Sequence, residues 1–148
     1  MSIPFAVHIP FVEQIGCTLE RFDDGEAEVA LDLDADRHTN SFGVAHGGLS
    51  MTLLDLAMAH AARSLNKAQP DGGPGLVTLE MKTSFMRPGE GELRAVGKVL
   101  HRSTTMAFCE GSVFGVGGKL CAHATGTFKY LRALPAGRQL KPLGGEGD

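Results

Sequence analysis

Apolar and polar residues alternate along the start of the chain in a pattern that predicts one short helix and two strands. Apolar residues recur at roughly helical spacing over residues 4–15, which predicts a short leading helix or turn that Gly16 ends. Alternation of apolar and polar residues over 17–22 and 27–33 predicts two strands. The Asp-Asp-Gly sequence at 23–25 is typical of a tight turn, so we expect the two strands to form a hairpin.

A polar, turn-rich loop over residues 34–43 precedes the longest apolar segment of the chain. Leu, Met and Ala occupy nearly every side of a helix predicted from about Gly47 to Leu65, so we expect this helix to be buried all round. The segment is interrupted by Asp55 and His60 and is too short to span a bilayer. We therefore expect no contact with a membrane.

The second half of the chain predicts four strands. A Gly- and Pro-rich loop at 69–75 comes first, and alternating segments then cover residues 76–86, 93–101, 106–116 and 120–131. Pro88-Gly89 and Gly117-Gly118 are expected to supply turns between neighbouring strands.

This order of elements predicts an α+β fold. A single helix that is apolar all round needs a sheet wrapped about it, so we expect an antiparallel sheet of five to six strands around one long central helix. The length of 148 residues suits one domain, which we place at residues 1–131. Residues 132–148 are rich in Gly and Pro and are expected to form a flexible C-terminal tail.

Composition and charge narrow the classes of function. The hydrophobic fraction of 43% and charged fraction of 21% are ordinary for a globular protein, and a net charge of −3 argues against a nucleic-acid binder. The N-terminus lacks the basic region and apolar run of a signal peptide, so a cytoplasmic location is expected. The three cysteines form no CxxC pair and are expected to be small buried or half-buried thiols.

No metal site is expected. Cys121 and His123 could place two ligands on one face of a strand, but the sequence offers no second pair to complete a zinc site. The remaining histidines, such as His60 and His101, have no metal-like partners at useful spacing.

The segment around the start of the long helix contains the candidate chemistry. Gly47-Gly48 would let a ligand approach the backbone closely and would present unpaired N–H groups at the positive end of the helix dipole. Asp55 is the only acidic residue between His46 and Asn66, and an unpaired carboxylate on a buried helix costs several kcal/mol unless something compensates. From spacing alone, Asp55 is either reactive or structural, pairing with a loop, with Arg63 or His60, or with a partner chain.

The residues Asn40, His46-Gly47-Gly48, Asp55 and Thr78 together resemble the hotdog-fold acyl-CoA thioesterases of the phenylacetate-pathway (PaaI-like) type. The resemblance implies that Asp55 is the general base or the nucleophile and that the N–H of Gly47, with Gly48 as a second candidate, polarises the thioester carbonyl. It further implies that Asn40 positions the carbonyl or the water, that His46 orients the turn and that Thr78 holds the water. It implies no cofactor, since CoA is part of the substrate.

Helix geometry separates two of these groups. Gly47 and Asp55 are eight residues apart, so they lie roughly 12 Å apart along one helix and cannot act on the same carbonyl. We therefore expect Gly47 of one subunit to face Asp55 of another across a two-fold axis. The resemblance likewise implies a homodimer, or a tetramer built from two dimers, with active sites at the subunit interface.

Two further groups of residues are candidates for substrate contacts. Basic and hydroxyl side chains near two strand ends could hold the CoA phosphates, although each could equally belong to a solvated turn. These are Arg87, Arg102, Ser103 and Thr104. Large apolar side chains near the helix could line a pocket for an aryl or medium-length acyl group, and these are Phe42, Leu54, Met58, Phe85 and Met86.

Two other functions are consistent with the same fold. Hotdog-type dehydratases or hydratases of acyl thioesters use a catalytic histidine followed by a Pro-Gly-type turn, whereas His46 is followed directly by two glycines. A non-catalytic acyl-CoA-binding module would not need Asp55.

Overall fold

The computed structural model describes residues 2–69, 73 and 75–133. Two α-helices and six strands follow in the order α1 (Pro10–Ile15), β1 (Thr18–Asp23), β2 (Glu26–Asp32), α2 (Gly47–Ser64), β3 (Leu76–Phe85), β4 (Glu92–Arg102), β5 (Met106–Phe114) and β6 (Leu120–Tyr130), with a short 3-10 turn (Val116–Gly118) between β5 and β6. The tail predicted to be flexible lies outside the described residues except for positions 132 and 133, as does part of the 69–75 loop.

The six strands form one antiparallel sheet in the order β1-β2-β4-β5-β6-β3, and α2 packs against its inner face. This confirms the predicted α+β fold with a sheet around one long helix. None of the helices in the described residues is both long enough and apolar enough to cross a membrane.

The connections between strands confirm one prediction and contradict another. Asp24 and Gly25 have φ angles of 49° and 81°, the left-handed conformation that a tight β1–β2 turn requires. The expectation that Pro88-Gly89 joins neighbouring strands is wrong, because β3 pairs with β6 and β4 pairs with β2 and β5.

The segment between β3 and β4 passes from an edge strand to an interior strand of the sheet. Its packing explains why β3 and β4 do not form a hairpin. The Ala45 N–H donates to the Gly89 carbonyl oxygen at 2.9 Å, which ties this segment to the loop before α2. A Cβ atom at Gly89 would lie 3.0 Å from the Ala45 side chain. Glycine at this position therefore permits a close crossing rather than a reversal of the chain.

Close approach of α2 to the sheet depends on small residues in β4. Leu93, Ala95 and Gly97 alternate along its inner face and are buried. A Cβ atom at Gly97 would lie 2.4 Å from the Ala57 backbone, so only glycine allows the helix to lie at this distance.

The long helix is not buried on all sides, contrary to the expectation from its composition. Leu53, Leu54 and Met58 are fully buried against the sheet. A second stripe, which includes Asp55 and Ala59, is only partly buried. This stripe faces the cleft described below.

Strand β3 forms one edge of the sheet and exposes apolar side chains along its length. Val77, Leu79 and Phe85 are exposed, and Phe85 has 54% of its surface accessible. A long edge strand with exposed apolar residues is a surface that can accept another strand.

Candidate active site

His46 caps the N-terminus of α2. Its Nδ1 atom accepts a hydrogen bond from the Gly48 N–H at 2.9 Å, and its carbonyl oxygen accepts from Leu49 and Ser50. The Gly48 N–H is therefore used within the cap. No group in the described residues accepts from the Gly47 N–H, which leaves it as the unpaired donor at the positive end of the helix.

Asn40 shapes the loop that leads to this cap. Its Oδ1 atom accepts hydrogen bonds from the N–H groups of Phe42 at 2.9 Å and Val44 at 3.3 Å, and its backbone N–H donates to the Val44 carbonyl oxygen. The side-chain oxygen is thus engaged in the turn. Across the residues that the structure describes, the side-chain nitrogen of Asn40, Nδ2, has no hydrogen-bond partner.

Asp55 lies in the middle of α2 and is held by a residue from β3. The Thr78 hydroxyl donates to Asp55 Oδ1 at 2.7 Å, so the structure brings these two sequence-predicted residues together. His60 was one possible structural partner for Asp55, but its Nδ1 donates to the Leu56 carbonyl oxygen at 2.9 Å instead. Among the residues that the structure describes, the Thr78 hydroxyl, a neutral donor on a neighbouring strand, therefore orients the Asp55 carboxylate.

A cleft of about 710 Å³ opens beside Asp55 between α2, the start of β3 and the N-terminal segment. Its walls are mostly apolar, and among the described residues that line it Asp55 is the only acidic one. The lining residues are Val7, His8, Ile9, Phe11, Val12, Met51, Thr52, Asp55, Leu56, Ala59, His60, Arg63, Gly75, Leu76, Val77, Thr78, Met81 and Leu131.

None of the five residues predicted for an acyl pocket lines this cleft. Leu54 and Met58 belong to the adjacent stripe of α2 and are fully buried in the core, so the structure does not place them at this cleft. Phe42 has 87% of its surface exposed at a loop tip. Phe85 and Met86 lie at the far end of β3, where the Phe85 ring would be 3.5 Å from a Cβ atom at Gly47.

The basic residues predicted for the CoA phosphates do not form one cluster within a protomer. Arg102 donates to Asn66 Oδ1 at 2.8 Å, just beyond the end of α2, and lies 4.3 Å from the centre of the Tyr130 ring. Arg87 donates to the Leu120 carbonyl oxygen at 2.8 Å, at the end of β3 that lies near the start of α2. The two are separated by roughly 26 Å, the length of an 18-residue helix.

The predicted hydroxyl residues beside Arg102 lie in the β4–β5 turn. Ser103 Oγ accepts hydrogen bonds from the N–H groups of Thr105 at 3.3 Å and Met106 at 3.0 Å. The Ser103 hydroxyl thus stabilises the turn, and Thr104 is exposed beside it.

The sequence analysis did not place the N-terminal segment or Arg63 in the wall of a cleft. Residues 7–12 approach α2 from far along the chain, and no local pattern signals such a contact. The spacing of Asp55, Ala59 and Arg63 could have revealed their shared face, because residues four apart lie above one another on a helix.

The cysteines and histidines of the described residues form no metal-binding group of three or more ligands. Cys17, Cys109 and Cys121 are free and buried, as predicted. Burial raises the pKa of Cys109 to about 12, so this thiol is protonated and unreactive at neutral pH.

Comparison with known proteins identifies the family. Residues 42–122 match the thioesterase superfamily, a range that includes the start of α2, Asp55 and Thr78. A conserved protein of known structure from Pseudomonas aeruginosa is 34% identical, with a TM-score of 0.75 over 84% of this chain and 96% of that chain. A mutant of the phenylacetic acid degradation protein PaaI from Thermus thermophilus is 31% identical, with a TM-score of 0.71 over 83% of this chain and 100% of that chain.

A curated relative points to the same class of reaction. A protein from Saccharolobus solfataricus, named as a candidate esterase, is 28% identical over 127 residues, which cover 85% of this chain and 81% of the relative. Together these relatives support hydrolysis of an ester or a thioester. The chain belongs to the thioesterase superfamily, as a hotdog-fold protein of the PaaI-like type.

Proposed function

We propose that this protein hydrolyses an acyl-CoA thioester to the free acid and CoA, with Asp55 as the reactive carboxylate. The observation that supports this most directly is the Thr78–Asp55 hydrogen bond of 2.7 Å at the wall of a largely apolar cleft. The hydroxyl fixes the rotation of the carboxylate, and the apolar walls suit the acyl group. We place this activity in a single catalytic domain that contains α2 and all six strands.

Two chemical routes are open to Asp55. As a general base, it takes a proton from water while the water oxygen attacks the thioester carbon, and the tetrahedral intermediate then collapses with loss of the CoA thiolate. As a nucleophile, a carboxylate oxygen attacks the same carbon, the thiolate leaves, and water hydrolyses the resulting anhydride. Both routes place negative charge on the carbonyl oxygen, where the Gly47 N–H and the helix dipole would stabilise it.

The alternative of a dehydratase finds less support in this site. Such an enzyme would use His46 for proton transfer, but the His46 Nδ1 atom accepts the cap hydrogen bond from Gly48. That hydrogen bond leaves His46 as a structural element of the turn.

The places at which the two reactive groups meet β3 support a site shared between two subunits. Asp55 contacts Thr78 near the start of the strand, whereas Gly47 lies against Phe85 at its end. If two copies pair antiparallel along β3 about an axis between residues 81 and 82, Thr78 lies opposite Phe85 of the partner subunit. This arrangement would bring Asp55 towards Gly47 of the partner subunit and complete the site.

Release of free thiol from a panel of aryl-acyl and medium-chain acyl-CoAs tests the function. We expect the wild type to release thiol and Asp55→Asn, which keeps the size of the side chain, to lose about 100-fold or more in kcat. A matched control is Asp36→Asn, an exposed loop residue outside the cleft. Equal rates for the wild type and Asp55→Asn, both folded, would remove Asp55 from the reaction.

Mixed dimers test whether the site is shared. Asp55→Ala and Asn40→Ala each disable one half of a shared site, so a mixed dimer would retain one site with both halves intact. We expect activity to return when the two inactive proteins exchange subunits. No recovery despite exchange demonstrated by native mass spectrometry would contradict the shared site.

A further inference from the structure

The partly buried stripe of α2 contains one small side chain. Between Met51 and Ser64, the residues that are not buried all line the cleft, and these are Met51, Thr52, Asp55, Ala59 and Arg63. Asp55 and Ala59 are four residues apart, so their side chains follow one another along one face of the helix. At Ala59 the helix presents only a methyl group to the cleft. A notch therefore opens in this wall one turn beyond Asp55.

Strand β3 faces the same part of the cleft with an apolar side chain. Gly47 lies against Phe85 and Asp55 contacts Thr78, so α2 and β3 run in opposite directions. Leu76 therefore lies beyond Thr78 on the side where Ala59 lies beyond Asp55, and it also lines the cleft.

The other walls of the cleft suit a hydrocarbon. Val7 and Ile9 line it from the N-terminal segment. His60 also lines it, but burial lowers the pKa of His60 to about 4, so its ring is neutral at neutral pH. Apolar walls favour an apolar group, because burial of hydrocarbon is favourable and a polar group without a partner would lose its water.

The spacing along α2 indicates which part of an acyl chain would meet the notch. Along the helix axis, Ala59 is roughly 6 Å and Arg63 roughly 12 Å from Asp55. A zigzag hydrocarbon chain advances by about 1.25 Å per carbon, from a C–C bond of about 1.5 Å and its bond angle. With the thioester carbon at Asp55, about the fifth carbon would lie over Ala59 and about the tenth at the last α2 residue of the cleft.

We propose that Ala59 sets the length of the acyl chain that the enzyme accepts, and that its preferred straight-chain substrates are thioesters of medium length, up to about ten carbons. The inference rests on the proposed function and specifies its substrate class. A larger side chain at position 59 would fill the notch and block the chain after about the fourth carbon. Shorter acyl groups would end before they reach it. Ala59 determines specificity and takes no part in the chemical step.

The pantetheine arm of CoA is the other part of the substrate that could lie over Ala59. All acyl-CoAs share this arm, so a larger side chain that met the arm would slow every substrate alike. A side chain that met the acyl group would slow only the long substrates. The dependence on acyl length therefore separates the two placements.

A single substitution fills the notch. Ala59→Leu adds an apolar side chain to the cleft wall, and Ala59→Val adds a smaller one. Ala68→Leu is the matched control, since Ala68 is exposed just beyond α2 and outside the residues that line the cleft. Thiol release from acetyl-, butyryl-, octanoyl- and decanoyl-CoA gives kcat/KM for each substrate. Turnover of the short substrates also reports whether the variant is folded.

We expect kcat/KM of the wild type to rise about two- to fourfold with each added methylene up to about ten carbons, as burial of the chain increases. Ala59→Leu should lower kcat/KM for octanoyl- and decanoyl-CoA about 10- to 100-fold, because the chain no longer fits a filled pocket. It should leave acetyl- and butyryl-CoA within about twofold of the wild type. Ala59→Val should cause a smaller loss, and Ala68→Leu should resemble the wild type.

Equal losses for short and long substrates, or no loss for the long ones, would overturn the inference. Calorimetric binding of the thioethers S-ethyl-CoA and S-octyl-CoA, which cannot be hydrolysed, separates this failure from failure of the proposed hydrolysis. The proteins compared are Asp55→Asn and the double variant that also contains Ala59→Leu. Tighter binding of S-octyl-CoA that Ala59→Leu abolishes would support the inference even without turnover. A preference for the octyl group that is absent, or that survives Ala59→Leu, would reject it.

Discussion

At the scale of single residues, the environment of Asp55 comes from two elements that are distant in the chain. The carboxylate is on α2, and the hydroxyl that orients it is on β3, 23 residues later. The family resemblance of the sequence pointed to both residues. The cleft residues were mostly missed, because Leu54 and Asp55 are adjacent in sequence yet face the core and the cleft respectively. Apolar character alone does not reveal which face of a helix a residue occupies.

Thr78 is a positioning residue in the proposed mechanism, and its hydroxyl can be tested apart from its shape. Thr78→Val keeps the branched side chain but removes the donor to Asp55, so we expect kcat to fall about 10-fold or more while KM changes little. Thr78→Ser restores the donor and should recover most of the rate. The measurement is steady-state thiol release, and a fully active Thr78→Val variant would contradict this role.

His60 should make stability depend on pH. It is buried between Phe5 and Phe22, and burial lowers its pKa from 6.5 to about 4. Between these values the unfolded chain binds a proton that the folded chain does not, so the free energy of unfolding should fall as pH decreases from 6.5 to about 4. The full loss is up to about 3 kcal/mol.

Urea denaturation across this pH range measures the effect of His60. His60→Gln should flatten the dependence of stability on pH, whatever its effect on stability at neutral pH. His101→Gln, at an exposed site, should keep the wild-type dependence. The same slope in His60→Gln and the wild type would show that other groups cause it.

At the scale of helices and strands, hydrophobic periodicity located every strand to within about two residues but did not give the order of the strands in the sheet. Alternation reports which residues can form a strand and which face is buried. Alternation contains no information about which strand lies beside a given strand. Pro88-Gly89 resembles a hairpin turn in sequence. In the structure, Gly89 packs against Ala45, and the chain passes from edge strand β3 to interior strand β4. That contact joins distant residues and has no local signature.

Gly97 sets the distance between α2 and the sheet, which a single methyl group can test. Gly97→Ala would place Cβ 2.4 Å from the Ala57 backbone, so the helix must move away. We expect a loss of stability of about 1–3 kcal/mol in urea denaturation. Lys98→Ala, one residue along the same strand and exposed, should change stability by less than about 0.5 kcal/mol.

At the scale of the whole molecule, the exposed edge of β3 should hold the proposed dimer together. Leu79→Glu places a charged side chain on the exposed edge strand, where pairing with a second copy would cover it and remove part of its water. We expect this variant to sediment as a monomer and to lose thioesterase activity. Val116→Glu, at an exposed apolar residue in the turn after β5, is the control and should stay dimeric and active.

The two ways in which Leu79→Glu could depart from this expectation have different implications for the site. If Leu79→Glu is monomeric but fully active, each chain contains a complete site and the separation of Gly47 and Asp55, roughly 12 Å, has no functional meaning. If it remains dimeric, the interface uses another surface. Analytical ultracentrifugation and thiol release on the same sample distinguish these outcomes.

The exposed edge of β3 also has a kinetic consequence. A chain that has just folded would present Val77, Leu79 and Phe85 to water and would stay inactive until it met another copy. Recovery of activity after dilution from urea should therefore follow second-order kinetics and become slower as the protein is diluted, while the recovery of helix measured by circular dichroism should not. In the proposed enzyme, the delay between these two recoveries is the lifetime of a folded chain that lacks half of its active site.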